Sequence, residues 1–324
     1  MFRDLRAVDV LAAGQRIREL VRRTPLVRSA PLSEIAGGDV YLKLENEQIT
    51  GSFKLRGALN AIGSLPPDVR ERGIVASSAG NHGLGIAYAA RYYEVAATIF
   101  VPENAPKVKR DGITALGATI DTTQPHYDAA MSAAKAFAAE RGATYVNPCL
   151  GAPLLAGQGT VALEILSDLP DLAALVVNVG GGGLLGGCGS LVRRVAPSVR
   201  IVGVQSVNTA AMARSMEAGR VVEIENVPTL AEGLAGQIDD EALDIGREAL
   251  DEIQTLTEDE IAHTIAWIWR THGARVEGAG AVSAGAVLYH KLPSLPTPAA
   301  LVVSGGNIDV ARFDQLVERG SWSV

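Results

Sequence analysis

The sequence predicts an α/β protein whose parallel strands and helices alternate into doubly wound open sheets, two of them over the length of the chain. Three observations carry this. Short β-branched or apolar runs recur between helical patterns, as right-handed βαβ units require. Several of those runs are apolar throughout, which marks strands covered on both faces. Glycine is abundant at 35 residues and proline modest at 15, a balance that suits many tight strand-to-helix turns. With 324 residues and about 100–200 per domain, two domains are expected.

Each element follows from its residues. Residues 40–44 read as a strand, Thr50-Gly51-Ser52 as a turn, and 53–62 as a helix. Residues 73–77 form a strand, and the Ala-rich stretch 81–92 a helix. Residues 96–101 form a strand stopped by Pro102; 106–116 and 127–141 are helical. The runs 175–179, 200–204 and 300–303 are strands of the buried parallel kind. No internal repeat, low-complexity tract or long linker interrupts them.

Composition narrows the function. Hydrophobic residues make up 48% and charged residues 20% of the chain, which excludes disorder and a fibrous repeat. The charge is −7, from 29 basic against 36 acidic residues, a poor match for nucleic acid or an anionic membrane. Cys149 and Cys188 are the two cysteines, too few for a disulfide framework or a cysteine-rich metal site; both are expected to be small packing residues. The start, Met1 to Asp4, leads into an amphipathic helix rather than a signal peptide, and no run of about 20 apolar residues spans a bilayer. A soluble cytoplasmic protein is expected.

Residues 178–187 read Asn-Val-Gly-Gly-Gly-Gly-Leu-Leu-Gly-Gly between a strand and a helix. Backbone N–H groups converge on an anion in such a loop, aided by the positive end of the helix dipole. Gly181, Gly183 and Gly186 meet the dinucleotide spacing, but that reading wants a carboxylate about 20 positions on. Val204-Gln205-Ser206 stands there instead. Phosphate binding without a dinucleotide is the better reading, beside the alternative of a tight turn with close helix packing.

Lys54 sits at a helix start just after Ser52, which carries the cap signal. A cation there opposes the dipole by about 0.3–1 kcal/mol, and partial burial beside Phe53 acts in the same direction. Both favour the neutral amine that Schiff-base chemistry needs. A lysine in a first turn also has a plain reading as a solvated side chain.

The stretch Ser52-Phe53-Lys54-Leu55-Arg56-Gly57-Ala58 resembles the Schiff-base lysine motif of pyridoxal-phosphate enzymes of the tryptophan-synthase β-like class, fold type II. Within it the chain resembles the threonine/serine dehydratase and serine racemase family. Further stretches match in order: residues 78–83, 155–160, the glycine loop 180–183, 277–281 and 303–309. The set is closest to short catabolic threonine dehydratases and spans about Thr24 to Arg312.

The resemblance implies a large domain of residues 1–63 and 151–324, a small domain of 64–150, and an active site between them. It implies that Lys54 carries pyridoxal 5'-phosphate and, once freed, removes the substrate α-proton. Gly180, Gly181, Gly182 and Gly183 are then the phosphate seat. Ser304 faces the pyridine nitrogen, Asn81 the 3′-oxygen, Phe53 the ring, and Gly233 approaches the cofactor closely. A neutral hydroxyl at Ser304 stabilises a protonated ring less than a carboxylate does, which suits β-elimination. Ser78, Ala79, Gly80, Asn81 and His82 are implied to bind the substrate carboxylate through N–H groups. The cofactor phosphate is implied to protonate the departing hydroxyl. Glu277 matches a position near the cofactor and is open to a second reading as an ion-pair partner one layer out. His82 is likewise open between acid–base chemistry and support of the turn.

Departures from the family pattern sharpen the expectation. Ala79 stands where serine racemases carry a serine serving the opposite face, so dehydration is expected to dominate. Gln205, Thr209 and Ala211 replace the acidic residues of the racemase-type divalent site, so no metal is expected. Leu84 replaces a glutamine common in the dehydratases, either making the pocket more apolar or simply packing. The length leaves no room for a C-terminal regulatory domain. His126, His263, His272 and His290 lack metal spacing, Glu260 with His263 is a single pair on a surface helix, and no nucleophile elbow surrounds Ser78.

The expected activity is elimination of water from L-threonine or L-serine, giving a 2-oxo acid and ammonia, by a homodimer acting on a small amino acid. The alternatives are a dehydratase for another hydroxy amino acid such as 3-hydroxyaspartate or phenylserine, a serine racemase, or a phosphate- or nucleotide-binding protein with no catalysis.

Overall fold

The computed structural model describes residues 4–105, 107–225 and 227–319. Met1 to Arg3, and Pro106 at the expected start of one helix, lie outside them.

Ten strands arrange as two sheets: β1 (Leu26–Arg28), β2 (Val40–Leu44), β3 (Ile74–Ser77), β4 (Ala97–Pro102), β5 (Thr119–Gln124), β6 (Thr144–Tyr145), β7 (Ala174–Asn178), β8 (Arg200–Ser206), β9 (Glu252–Leu256) and β10 (Ala299–Val303). The first half carries helices α1 (Ala7–Ile17), α2 (Ala30–Ala36), α3 (Lys54–Gly63), α4 (Pro67–Arg70), α5 (Asn81–Tyr92), α6 (Lys107–Ala115) and α7 (Tyr127–Arg141). The second half carries α8 (Ala152–Asp168), α9 (Gly183–Val195), α10 (Ala211–Ala218), α11 (Asp240–Ala249), α12 (Glu258–His272), α13 (Gly278–Leu288) and α14 (Val310–Arg319).

The larger sheet has the order β1-β2-β10-β7-β8-β9 and is parallel except for β1, which runs antiparallel to β2. The smaller sheet, β5-β4-β3-β6, is parallel throughout. Side chains alternate across the large sheet with the period of two that a pleat imposes. On β7, Leu175 and Val177 enter the core on one face, and Ala174 and Val176 the core on the other. On β10, Ala300 and Val302 join the first core, and Ala299, Leu301 and Val303 the second. Both faces are therefore dry, which is why these strands read as unbroken apolar runs. Leu55, Ala58, Leu59 and Ile62 of α3 pack instead into the core with Ile74, Ala76 and Ile99 of the small sheet. Helix α3 thus packs on the core of the smaller sheet while its first residues follow from β2 of the larger.

The sequence reading names the inner strands β2, β3, β4, β7, β8 and β10 to within two residues and omits β1, β5, β6 and β9. The omitted four are the sheet edges. β5, Thr-Ile-Asp-Thr-Thr-Gln, has no buried residue, so its composition carries no apolar signal.

One local expectation is corrected. Ser52 does not cap α3: the N-cap is Phe53, and no side chain bonds there. Ser52 is held extended by a bridge to Gly305, and Phe53 N donates to Ser304 O. The chain bends into the helix one residue later, with the Ser52 hydroxyl buried and lacking a protein partner.

Candidate active site

Four of the parallel strands deliver the site from their carboxyl ends, where ligands of open α/β sheets bind. β2 leads through a short 3₁₀ turn to Lys54, and β3 ends at the Ser78–Gly80 turn. β7 runs into Gly180–Gly183, and β10 into Ser304. β10 and β7 are neighbours, so Ser304 and the glycine loop leave the large sheet side by side.

Lys54 occupies the first position of α3, half-buried. Its Nζ donates to the Pro148 carbonyl at 2.8 Å and lies 5.2 Å from the centre of the Phe53 ring. Gly85 of α5 packs against its main chain: a Cβ built there falls 3.3 Å from Lys54 C and O. The amine is fixed between the small domain's α5 and the segment that follows β6.

The residue after Pro148 closes on the glycine loop. A Cβ on Gly181 would stand 2.7 Å from Cys149 Sγ, and one on Gly183 3.1 Å from Cys149 Cα. Gly180 is blocked from another side, 3.0 Å from Leu234 Cα. Gly182 has φ +88 and is the N-cap of α9. Close contacts at Gly180, Gly181 and Gly183 and the positive φ of Gly182 keep the loop free of side chains, so main-chain N–H groups line it at the positive end of a helix, a ready seat for a phosphate.

A polar relay orients Asn81. Asn307 Nδ2 donates to Thr50 O at 2.8 Å and to Asn81 Oδ1 at 2.7 Å; Asn81 Nδ2 donates to Glu277 Oε1 at 2.7 Å. A main-chain carbonyl only accepts, which fixes the Asn307 amide and, through it, that of Asn81. One N–H of Asn81 remains after Glu277 is served. Gly233 and Gly305 surround the Glu277 carboxyl: a Cβ on Gly305 would meet Oε1, and one on Gly233 would lie 3.9 Å from it. Glu277 thus accepts from Asn81 and holds its amide. Ser304 is buried, its hydroxyl donating over 3.3 Å to Ala279 O.

The Ser78–His82 segment opens α5, with Gly80 as N-cap. Ser78 Oγ accepts from Gly80 N at 3.2 Å, and Gly83 is required because a Cβ there would strike Ser78 O. The His82 ring is buried, its Nε2 donating to Val146 O at 3.0 Å. Burial and the nearby Lys54 charge push its pKa down to about 3 against the weaker pull of the Val146 bond. His82 is a neutral pillar between α5 and the Val146–Cys149 segment, and its Nδ1 is buried without a protein partner.

The remaining candidates sit elsewhere. His126 caps α7, His272 reaches Ser29 Oγ at 3.0 Å, and His263 Nδ1 bonds the Tyr289 hydroxyl at 2.6 Å. Cys188 is buried, and burial pushes its thiol up to about 12. Gln205 donates to Thr209 O and accepts from Ala213 N, and among the described residues no group of three or more His, Cys, Asp or Glu is placed to hold a metal. Leu84 packs on α6, 3.3 Å from a Cβ built on Gly112. The sequence reading missed Pro148, whose contribution is a carbonyl, and gave Cys149 only a packing role. It quoted Asn307 within a motif without a task.

A lysine amine, a glycine-lined anion seat and a helix N-terminus converging between two doubly wound sheets define the class of fold type II enzymes. The chain belongs to the pyridoxal-phosphate dependent enzyme family, whose model matches residues 17–305. It is 41% identical over 313 residues to an L-threonine ammonia-lyase of Thermotoga maritima, covering 96% of this chain and 78% of the relative. It is 37% identical over 317 residues to the L-threonine dehydratase catabolic TdcB of Staphylococcus aureus, covering 96% and 92%. Among solved structures, a T.th. threonine deaminase superposes with a TM-score of 0.87 at 34% identity, over 94% of this chain and 99% of that one. Maize serine racemase superposes at 0.90 with 28% identity, over 97% of each. The cofactor is pyridoxal phosphate, and the glycine-lined loop fits its phosphate.

Proposed function

We propose that this chain is an ammonia-lyase that eliminates water from L-threonine, and from L-serine as a second substrate, giving a 2-oxo acid and ammonia. The observation that carries this is the Lys54 amine held 2.8 Å from Pro148 O, one residue before the Cys149 that closes the phosphate seat. The amine and the phosphate seat, the two groups the cofactor needs for its aldehyde and its phosphate arm, are thereby tied through two consecutive residues. The dehydratase and ammonia-lyase names of the relatives support the reaction.

The bound cofactor supplies an electron sink for the substrate α-carbon. In this reading Lys54 takes the α-proton, and the main-chain N–H groups of Ser78, Ala79, Gly80, Asn81 and His82 hold the substrate carboxylate. Gly180 to Gly183 hold the cofactor phosphate. Asn81 would offer its remaining N–H to the ring oxygen, Phe53 would flank the ring, Gly233 would leave it room, and the Ser304 hydroxyl would serve the ring nitrogen. The electron pair left at Cα forms the Cα–Cβ double bond as the C–O bond at Cβ breaks; the hydroxyl would leave as water with a proton from the cofactor phosphate, and the released enamine tautomerises and hydrolyses to the 2-oxo acid and ammonia. Ala79 offers no hydroxyl to return a proton to the opposite face, so dehydration outruns racemisation despite the likeness to a serine racemase. The division into residues 1–63 with 151–324 and residues 64–150, a homodimer, and a cytoplasmic setting complete the reading. For the last, no described helix is long and apolar enough to cross a membrane.

The test is turnover of L-threonine and L-serine with assay of 2-oxo acid and D-serine. Lys54→Ala is expected to lower turnover by about 10³-fold or more, as loss of a positioned base and nucleophile does, with an unchanged circular dichroism spectrum. Turnover near the parent level in that variant removes Lys54 from the mechanism.

A further inference from the structure

Two residues beyond Lys54, on the other side of the same helix, lies a buried charge cluster that the reaction does not use. Arg56 is 0% exposed, and all five of its N–H donors have acceptors. Nε and one terminal nitrogen grip Glu45 at 2.8 Å each. Glu164 is gripped at 2.8 and 2.9 Å, and Thr160 Oγ1 at 3.2 Å. Lys43, also 0% exposed, bonds Glu164 at 2.5 Å and Thr24 O at 2.7 Å; Thr24 Oγ1 donates to Glu45 at 2.5 Å. Two cations meet two carboxylates, so the cluster is neutral as a whole. Burial alone would lower the Arg56 pKa and raise that of Glu164. The charges and hydrogen bonds of their partners outweigh it, raising the first and lowering the second.

The cluster joins β2, the 3₁₀ turn after it, α3 and α8. We propose that Arg56, clamped by Glu45 and Glu164, is a positioning residue that sets the rotation of α3 and so aims the Lys54 amine at the cofactor. This rests on the role given to Lys54 above. Successive helical residues are turned by about 100°, so Lys54 and Arg56 point about 200° apart. The clamp grips the side of the helix opposite the amine. The apolar packing of Leu55, Ala58, Leu59 and Ile62 holds the helix along its length, and Arg56 is the charged anchor in its first turn. No side chain caps it, and no acidic residue occupies its first turn. The contact with α8 is smooth: a Cβ on Gly157 would fall 2.5 Å from Arg56 O and 2.7 Å from Gly57 Cα. The touching backbones set a distance, single bonds from Gly57 N to Gln158 Oε1 and from Asn60 Nδ2 to Pro153 O tie it, and the two-sided fork of Arg56 fixes the angle at the helix start.

The test uses the apoprotein with two probes. Pyridoxamine phosphate has an amine in place of the aldehyde, so it fills the phosphate seat without linking to Lys54. Pyridoxal phosphate links, and the linkage is read by absorbance and by borohydride reduction with peptide mass analysis. In Glu164→Gln, pyridoxamine phosphate affinity is expected to stay within about twofold, while covalent linkage slows by about tenfold or more. In the loaded enzyme kcat falls and KM changes little. Arg56→Lys follows the same pattern, since a single ammonium cannot make both forks. If Glu164→Gln does not fold, Thr160→Val, which removes one of the five acceptors, is judged by the same criteria. Unchanged linkage rates in folded variants overturn the proposal, and so does a parallel loss of pyridoxamine phosphate affinity, which marks a merely structural cluster. A parent protein that binds pyridoxal phosphate without linking it at Lys54 overturns instead the reading on which the proposal rests.

Discussion

The Arg56 cluster and two residues nearer the cleft treat buried polar groups in opposite ways. Behind the helix, every N–H of Arg56 is met by Glu45, Glu164 or Thr160. In front of it, Ser52 Oγ and His82 Nδ1 are equally buried and have no protein partner. Buried polar atoms are ordinarily satisfied, and those that are not call for a reason. The difference separates scaffold from seat. A polar cluster completed from within holds elements together, whereas an incomplete one is shaped for something that arrives.

That contrast breaks most visibly by opening the completed side. Glu45→Gln leaves Arg56 half-paired in a dry site, and loss of one partner of a buried pair is expected to destabilise by about 3–5 kcal/mol. The midpoint of urea unfolding measures it; a change under about 1 kcal/mol would show that the cluster is not a scaffold.

On the cleft side the expected effect is smaller and depends on pH. His82 is neutral in the folded protein because burial and the Lys54 charge hold its pKa near 3, against an ordinary value of about 6.5. The unfolded chain takes up a proton that the folded one refuses, so the contribution is intact above about pH 6.5 and is lost as pH falls towards 3. His82→Gln, which keeps a donor for Val146 O, is expected to flatten the stability profile in that window by up to about 1.4 kcal/mol per pH unit. Parallel profiles for parent and variant would place the imidazole in contact with solvent. The smallest effect has the opposite sign: Ser52→Ala removes a buried unpartnered hydroxyl, and the apoprotein is expected to gain about 1 kcal/mol. A loss of that size would reveal a partner for Ser52 Oγ.

How much of this was legible in the chain follows from where the signals lie. Inner strands are buried on both faces, so β7 and β10 announce themselves as apolar runs, whereas edge strands such as β5, with its Thr and Asp, share their composition with loops. Lys54, the glycine loop and Asn81 are legible because the chemistry demands unusual residue types in a fixed local order. Pro148 contributes a carbonyl, which no residue type encodes. Cys149 matters through the space it takes beside Gly181 and Gly183, a fact of tertiary contact alone. Ser52 misleads because a serine before a helix has the same letters whether it caps or bridges; the strand end at Gly305, 253 positions away by residue number, decides.

The relay through Thr50, Asn307, Asn81 and Glu277 also has a directional meaning. Its two ends are oxygens that only accept, so the amides between them cannot reverse without losing both bonds. Asn81 therefore shows the cleft a hydrogen and never a lone pair. An oxygen facing it accepts that hydrogen more strongly when it carries charge than when it carries its own proton. The relay behaves as a one-way valve, favouring the charged form of whatever oxygen docks there while itself exchanging no proton.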